Sequence, residues 1–160
     1  MAPSQTAKSQ LYLNVLAHAI KYRPADGLLI QPTKDMAIDF ADRRIQRKMI
    51  DTSPDLAVEV GANRSDDKIL TKSFRNGMML SVGWPAPGQL ASRAVPLVIF
   101  DELDRLPDDI KGEGNPIELG RNRKRSFGKN GSLINVSSPS RGFATGIVGH
   151  FYEGDQRLWF

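Results

Sequence analysis

The run Val95-Pro96-Leu97-Val98-Ile99-Phe100 stops abruptly at two adjacent carboxylates, Asp101 and Glu102. A buried strand with that ending places one carboxylate where it can hold a hydrated Mg²⁺ and the next where it can polarise a water. This is the Walker B pattern. Alone it says little, because an apolar strand ending at a charged loop occurs in most α/β proteins. Its weight depends on what else the chain carries.

The N-terminal segment Ala2-Pro3-Ser4-Gln5-Thr6-Ala7-Lys8-Ser9 has the spacing of a Walker A loop, G-x-x-x-x-G-K-[ST], with alanine at both glycine positions. In such a loop the backbone N–H groups, here around Ser4, Gln5, Thr6 and Ala7, bind phosphates together with the following helix N-terminus. Lys8 then reaches the β/γ oxygens of ATP, and the Ser9 hydroxyl binds Mg²⁺ with Asp101. The stretch after Ser9 is apolar almost all round and predicts a helix packed between a sheet and other elements. Against the loop stand the two alanines, which bring methyl groups toward the phosphates and disfavour positive φ. The competing reading is an irregular start before an ordinary core helix.

At 160 residues the chain suits one domain rather than two sizeable ones. Its 40% hydrophobic and 25% charged residues are ordinary for a soluble globular protein. The absence of cysteine rules out a disulfide framework and thiolate metal sites and fits a reducing cytoplasm. No membrane span or signal peptide is read in it. A net charge of +4 leans toward a polyanionic partner. Five of the cations, Arg121, Arg123, Lys124, Arg125 and Lys129, crowd into nine residues. They read equally as a DNA-contacting patch and as a solvated helix face.

Further elements follow in order. Residues 27–32 predict a strand, and Thr33 caps a helix over residues 34–49 with Ile38, Ala41, Ile45 and Met49 on one face. A hairpin turns on Asn76-Gly77, and a short helix is expected over residues 88–93. After the Asp101 strand come a basic helix over residues 117–125 and a strand over residues 132–137. Strands alternating with helices imply a mainly parallel sheet with its ligand site at the strands' carboxyl ends. A phosphate loop is held by the strand before it, and only Met1 precedes this one. The expectation is therefore an α/β P-loop NTPase of ASCE/RecA-like type with its first strand missing and an unpaired position beside the Asp101 strand.

These pieces together resemble the large terminase subunit of tailed phages, in its lambda-like GpA class. Ser4-Gln5-Thr6-Ala7-Lys8-Ser9 is similar to that family's deviant Walker A, Val98-Ile99-Phe100-Asp101-Glu102 to its Walker B and Ser137-Ser138-Pro139 to its coupling motif. Tyr152-Glu153-Gly154-Asp155 and the residues after it resemble the family's lead into a cysteine-rich segment. The resemblance implies an ATPase domain over residues 1–160, incomplete at its N-terminus and without the C-terminal nuclease domain. It also implies ATP-driven packaging of double-stranded DNA by an oligomeric motor in the bacterial host cytoplasm. A small terminase subunit and the procapsid portal are the implied partners.

Glu102 is expected to orient the attacking water and Asp101 to act on Mg²⁺. Ser137 and Ser138 are read either as γ-phosphate sensors or as a turn held by serine side chains before Pro139. Arg93 and Arg141 are rival candidates for an arginine finger. Asp104 reads as a turn or cap residue. Two other readings stay open at this stage, another DNA-dependent motor such as a helicase and an inactive prophage remnant that binds DNA or partners without hydrolysis.

Overall fold

The computed structural model describes residues 8–61, 67–90, 94–141 and 146–153. Strands β1 (Gly27–Ile30) and β5 (Leu97–Phe100) are buried at every position because each is covered on both faces. Successive side chains in a strand point to opposite sides, and the core divides accordingly. Leu29, Leu97 and Ile99 join Tyr12, Leu16, Ile20 and Ile45 in one cluster. Leu28, Ile30, Val98 and Phe100 join Leu103, Leu106, Ile110 and Ile117 in the other.

Six strands form one sheet. With β2 (Asp67–Lys68), β3 (Thr71–Ser73), β4 (Met79–Gly83) and β6 (Ser132–Asn135), the order is β2-β3-β4-β1-β5-β6. Strands β4, β1, β5 and β6 are mutually parallel, and β3 and β2 are added antiparallel. The hairpin between β3 and β4 turns where the sequence places it, on Asn76 and on Gly77 at φ +87°. The Asp101 strand, β5, is paired on both sides, by β1 and β6. The expected unpaired position beside it is thus corrected: on that side of the sheet, among the described residues, the open edge belongs to β6. The reason is that the Asp101 strand takes an interior place, which sequence order does not reveal.

Helix α1 (Lys8–Tyr22) buries Tyr12, Leu13, Leu16, Ala19 and Ile20, the spacing of one helical face. It is less enclosed than its composition suggests, since Leu11 and Val15 are exposed. Helix α2 (Lys34–Phe40) begins at Thr33, whose Oγ1 accepts the Met36 N–H at 3.2 Å. It continues over Ala41–Ile50 in the wider π form, shown by the Asp51 N–H bonded to Gln46 O at 2.9 Å. The wider winding brings Ile50 onto the buried stripe of Ala41, Ile45 and Met49, where α-helical spacing would set it opposite Ala41. A short helix α3 (Pro54–Ala57) follows.

The helix expected over residues 88–93 is replaced by a turn at residues 87–90, with the remaining positions outside the described residues. Gly88 sits at φ +78°, which a right-handed helix does not accommodate. On the other face, α4 (Pro116–Lys124) lies so close to β5 that a Cβ on Gly120 would sit 2.6 Å from the Phe100 ring. Helix α5 (Gly146–Glu153) completes the described chain. No helix among these residues is long and apolar enough to cross a membrane.

Candidate nucleotide site

Parallel strands gather their carboxyl ends on one side of a sheet, and the backbone ladder here continues past the strands themselves. Gln31 N bonds Gly83 O at 2.9 Å, Asp101 N bonds Ile30 O at 3.0 Å, and Val136 N bonds Phe100 O at 2.8 Å. Leu103 N then reaches across to Val136 O at 3.0 Å. The segments that follow β1, β5 and β6 are therefore held to one another before any side chain contributes.

Into this frame α1 delivers its first residues. Lys8 Nζ donates to Ser138 Oγ at 2.7 Å, joining the expected phosphate lysine to the segment after β6. The Tyr12 hydroxyl, one turn further on, donates to Asp101 Oδ2 at 2.7 Å. Gln31 Nε2 donates to the same oxygen at 2.9 Å, and the Glu102 N–H donates to Oδ1 at 3.1 Å. All three side chains, Tyr12, Gln31 and Asp101, are buried. Burial pushes the Tyr12 phenol far above its ordinary value. The Asp101 charge and hydrogen bond add to the rise, and interactions with Ser9 and Gln31 offset it in part.

Glu102 occupies the left-handed region at φ 49° and ψ 49°, uncommon for a side chain of its kind. Such a conformation persists where surrounding structure over-determines it, and here the residues on both sides are tied down. Its carboxylate is part-buried and 3.8 Å from Arg105. Glu102 thus turns out of the strand direction just where Asp101 is anchored.

The two serines separate. Ser138 meets Lys8, whereas Ser137 is 6% exposed, accepts the Asp104 N–H at 3.1 Å and donates to Ser138 O at 3.1 Å. Asp104 is no simple turn residue. Its Oδ2 accepts the N–H groups of Ser140 (2.7 Å) and Arg141 (3.0 Å), and its Oδ1 accepts that of Ile147 (2.6 Å) at the start of α5. Burial opposes ionisation of this carboxyl, but the amide donors of Ser140, Ile147 and Arg141 prevail and hold it below the usual carboxylate range. Arg141, one of the two finger candidates, is engaged within the chain. It bonds Asp104 O at 2.9 Å, Leu106 O at 2.7 Å and the Asp108 carboxylate.

Of the five clustered cations, Arg123 does not face outward. It is 6% exposed, and its guanidinium donates to Leu90 O and to Gln89 O, clamping the turn at residues 87–90. Its inclusion with the DNA-contacting cations is corrected on that ground: Arg123 lies on the buried face of α4 with Ile117 and Gly120. Arg121, Lys124, Arg125 and Lys129 line an open groove of about 1170 Å³ that follows β6, with Arg121 2.5 Å from Glu118. Ser4, Gln5, Thr6, Ala7 and Arg93 lie outside the described residues. Tyr12 and Gln31 are the participants that sequence reasoning passes over. Gln31 had a signal, a polar residue closing an apolar strand immediately before Pro32.

Oxygen donors suit a hard cation such as Mg²⁺. A carboxylate offers about four lone-pair positions, and three hydrogen bonds to Asp101 are in place. One acceptor position remains for a cation or its water. Among the described residues, no group of three or more His, Asp or Glu side chains could by itself hold a metal.

This α/β core, with its mainly parallel sheet flanked by helices, has counterparts among solved structures of terminase ATPase domains, a P-loop NTPase fold. The chain superposes on the large terminase ATPase domain of Thermus phage P74-26 with a TM-score of 0.58 at 18% identity, covering 86% of this chain and 57% of that one. A point mutant of the same domain gives 0.54 at 20% identity, covering 86% and 58%. The family model of the phage terminase large subunit gpA, ATPase domain, matches residues 1–160, and the chain belongs to that family. The terminase large subunits of Enterobacteria phage P21 and Escherichia phage lambda are each 29% identical over 118 residues, 72% of this chain. The chain spans 18% of the length of these relatives.

Proposed function

We propose that this chain binds Mg²⁺–ATP and hydrolyses it to drive double-stranded DNA into a procapsid, as part of an oligomeric motor with a small terminase subunit and a portal as partners. The observation that carries the reading is the meeting of Lys8 with Ser138 beside the anchored Asp101-Glu102 pair at the carboxyl ends of β5 and β6. Phosphoryl transfer needs positioning and charge neutralisation more than covalent chemistry, and these residues supply both. Lys8 meets the β/γ-phosphates with the loop from Ser4 to Ser9, and Ser9 and Asp101 take the cation. Glu102 orients the water. Ser138 reports the state of the γ-phosphate through Lys8, while Ser137 fixes the segment. The cations Arg121, Lys124, Arg125 and Lys129 follow the DNA backbone.

The test uses the full-length subunit. Glu102→Gln keeps the side chain's shape and is expected to leave ATP bound while turnover falls at least 100-fold, on the order of one lost electrostatic contribution. Lys8→Ala is expected to lose nucleotide affinity instead. Parent-level hydrolysis by Glu102→Gln, measured beside equilibrium ATP binding, overturns the assignment.

A further inference from the structure

The burial of Tyr12 is not explained by packing alone, because a phenylalanine fills the same space without carrying a hydroxyl into the core. Its ring is 1% exposed and lies against Phe40, centroids 5.8 Å apart. The hydroxyl therefore has little freedom, and it is aimed at one atom, Asp101 Oδ2, at 2.7 Å. Gln31, from the end of β1, approaches the same oxygen at 2.9 Å. Two donors from two different elements converge on one oxygen of a carboxylate that a third element, β5, carries. The other oxygen receives only the Glu102 N–H among the bonds described above.

From this convergence we infer that Tyr12, with Gln31, is a positioning residue that fixes the rotation of the Asp101 carboxylate and keeps Oδ1 as the oxygen turned to the cation. This rests on the proposed role of Asp101. Tyr12 belongs to α1, the helix that also begins with Lys8 and Ser9. One hydroxyl thereby ties the expected phosphate-binding helix to the carboxylate strand, and the two halves of the site keep one relative position. Outer partners of this kind set the affinity of the ligands they orient, and their loss costs about 10- to 100-fold in metal affinity.

The experiment titrates Mg²⁺ against a fluorescent ATP analogue bound to the full-length subunit, with a parallel binding curve in EDTA. Tyr12→Phe retains the ring against Phe40 and removes only the hydroxyl. The half-saturating Mg²⁺ concentration is expected to rise about tenfold, while affinity in EDTA stays within about twofold because no phosphate contact is lost. Should Tyr12→Phe fail to fold, Gln31→Met decides, with the same expectation. A lowered melting temperature with an unmoved Mg²⁺ requirement marks a structural role and overturns the inference. Asp101→Asn separates the two levels. If it too leaves the Mg²⁺ requirement unmoved, the assignment of Asp101 fails and this inference with it. If it shifts the requirement while Tyr12→Phe does not, the positioning role alone is lost.

Discussion

Asp104→Ala removes one carboxylate from the junction of three segments, and the geometry sets the size of the effect. Three backbone N–H groups, those of Ser140, Arg141 and Ile147, donate to it at 2.7, 3.0 and 2.6 Å. The truncated side chain leaves all three without an acceptor in a part-buried place. At about 1 kcal/mol for each donor that must find water, the loss is about 3 kcal/mol, or roughly a hundredfold in the equilibrium for opening Ser140, Arg141 and the start of α5 away from the Asp104 loop. Asp104→Asn keeps one acceptor oxygen but turns an amide N–H₂ toward like donors, and about 2 kcal/mol is expected. Amide hydrogen exchange of Ile147 and its α5 neighbours in the full-length subunit reads this directly. The pH dependence carries a sign. The folded carboxyl titrates below its ordinary value, so its stabilisation is complete above the unfolded value of about 3.9 and is lost as the pH falls through the lower folded one. The difference between parent and Asp104→Ala is therefore flat from about pH 5 to 8 and shrinks only below about pH 4. Exchange at the parent rate, or a difference that fades near neutrality, refutes the reasoning.

Neutralising Arg121, Lys124, Arg125 and Lys129 together is expected to weaken DNA binding alike across sequences and to flatten the salt slope by about 3 to 4, measured by titrating affinity against salt. Arg123→Ala is expected to leave that slope unchanged and to lower the melting temperature, because its guanidinium holds backbone carbonyls inside the fold. Gly120→Ala inserts a methyl group against the buried Phe100 ring and is expected to cost about 1–3 kcal/mol in urea denaturation, with no effect on nucleotide affinity.

The parallel architecture was readable because β1 and β5 are short, wholly apolar and bounded by breakers, which leaves few alternatives to a strand covered on both faces. The Thr33 cap and the Asn76-Gly77 turn were readable for a different reason: each depends on local backbone chemistry. What the sequence withheld was lateral order. Nothing in residues 95–102 tells that β6 rather than β5 carries the open edge, because that depends on pairing between segments about 35 residues apart. The side-chain partners of the site were likewise out of reach. Asp101 and Glu102 declare themselves at a strand end, but the Tyr12 hydroxyl meets Asp101 across 89 positions, and on the helix Tyr12 reads as one more core aromatic. Arg123 shows the same limit from the other side, since charge density marks a helix as basic without saying which of its cations faces inward.

Lys8 and Ser138 are 130 positions apart, and their contact has a consequence for how the protein is made. A chain emerging from the ribosome presents the lysine before any of the six described strands, and the serine only after the last of them. Local elements such as the β3–β4 hairpin can close early, since their contacts span few residues. The lysine's partner arrives after all six. While the 130 positions between them are being made the junction stays open, and a ribosome stalled before Ser138 holds a chain in which the six described strands are all present and the clasp across their ends is still unmade.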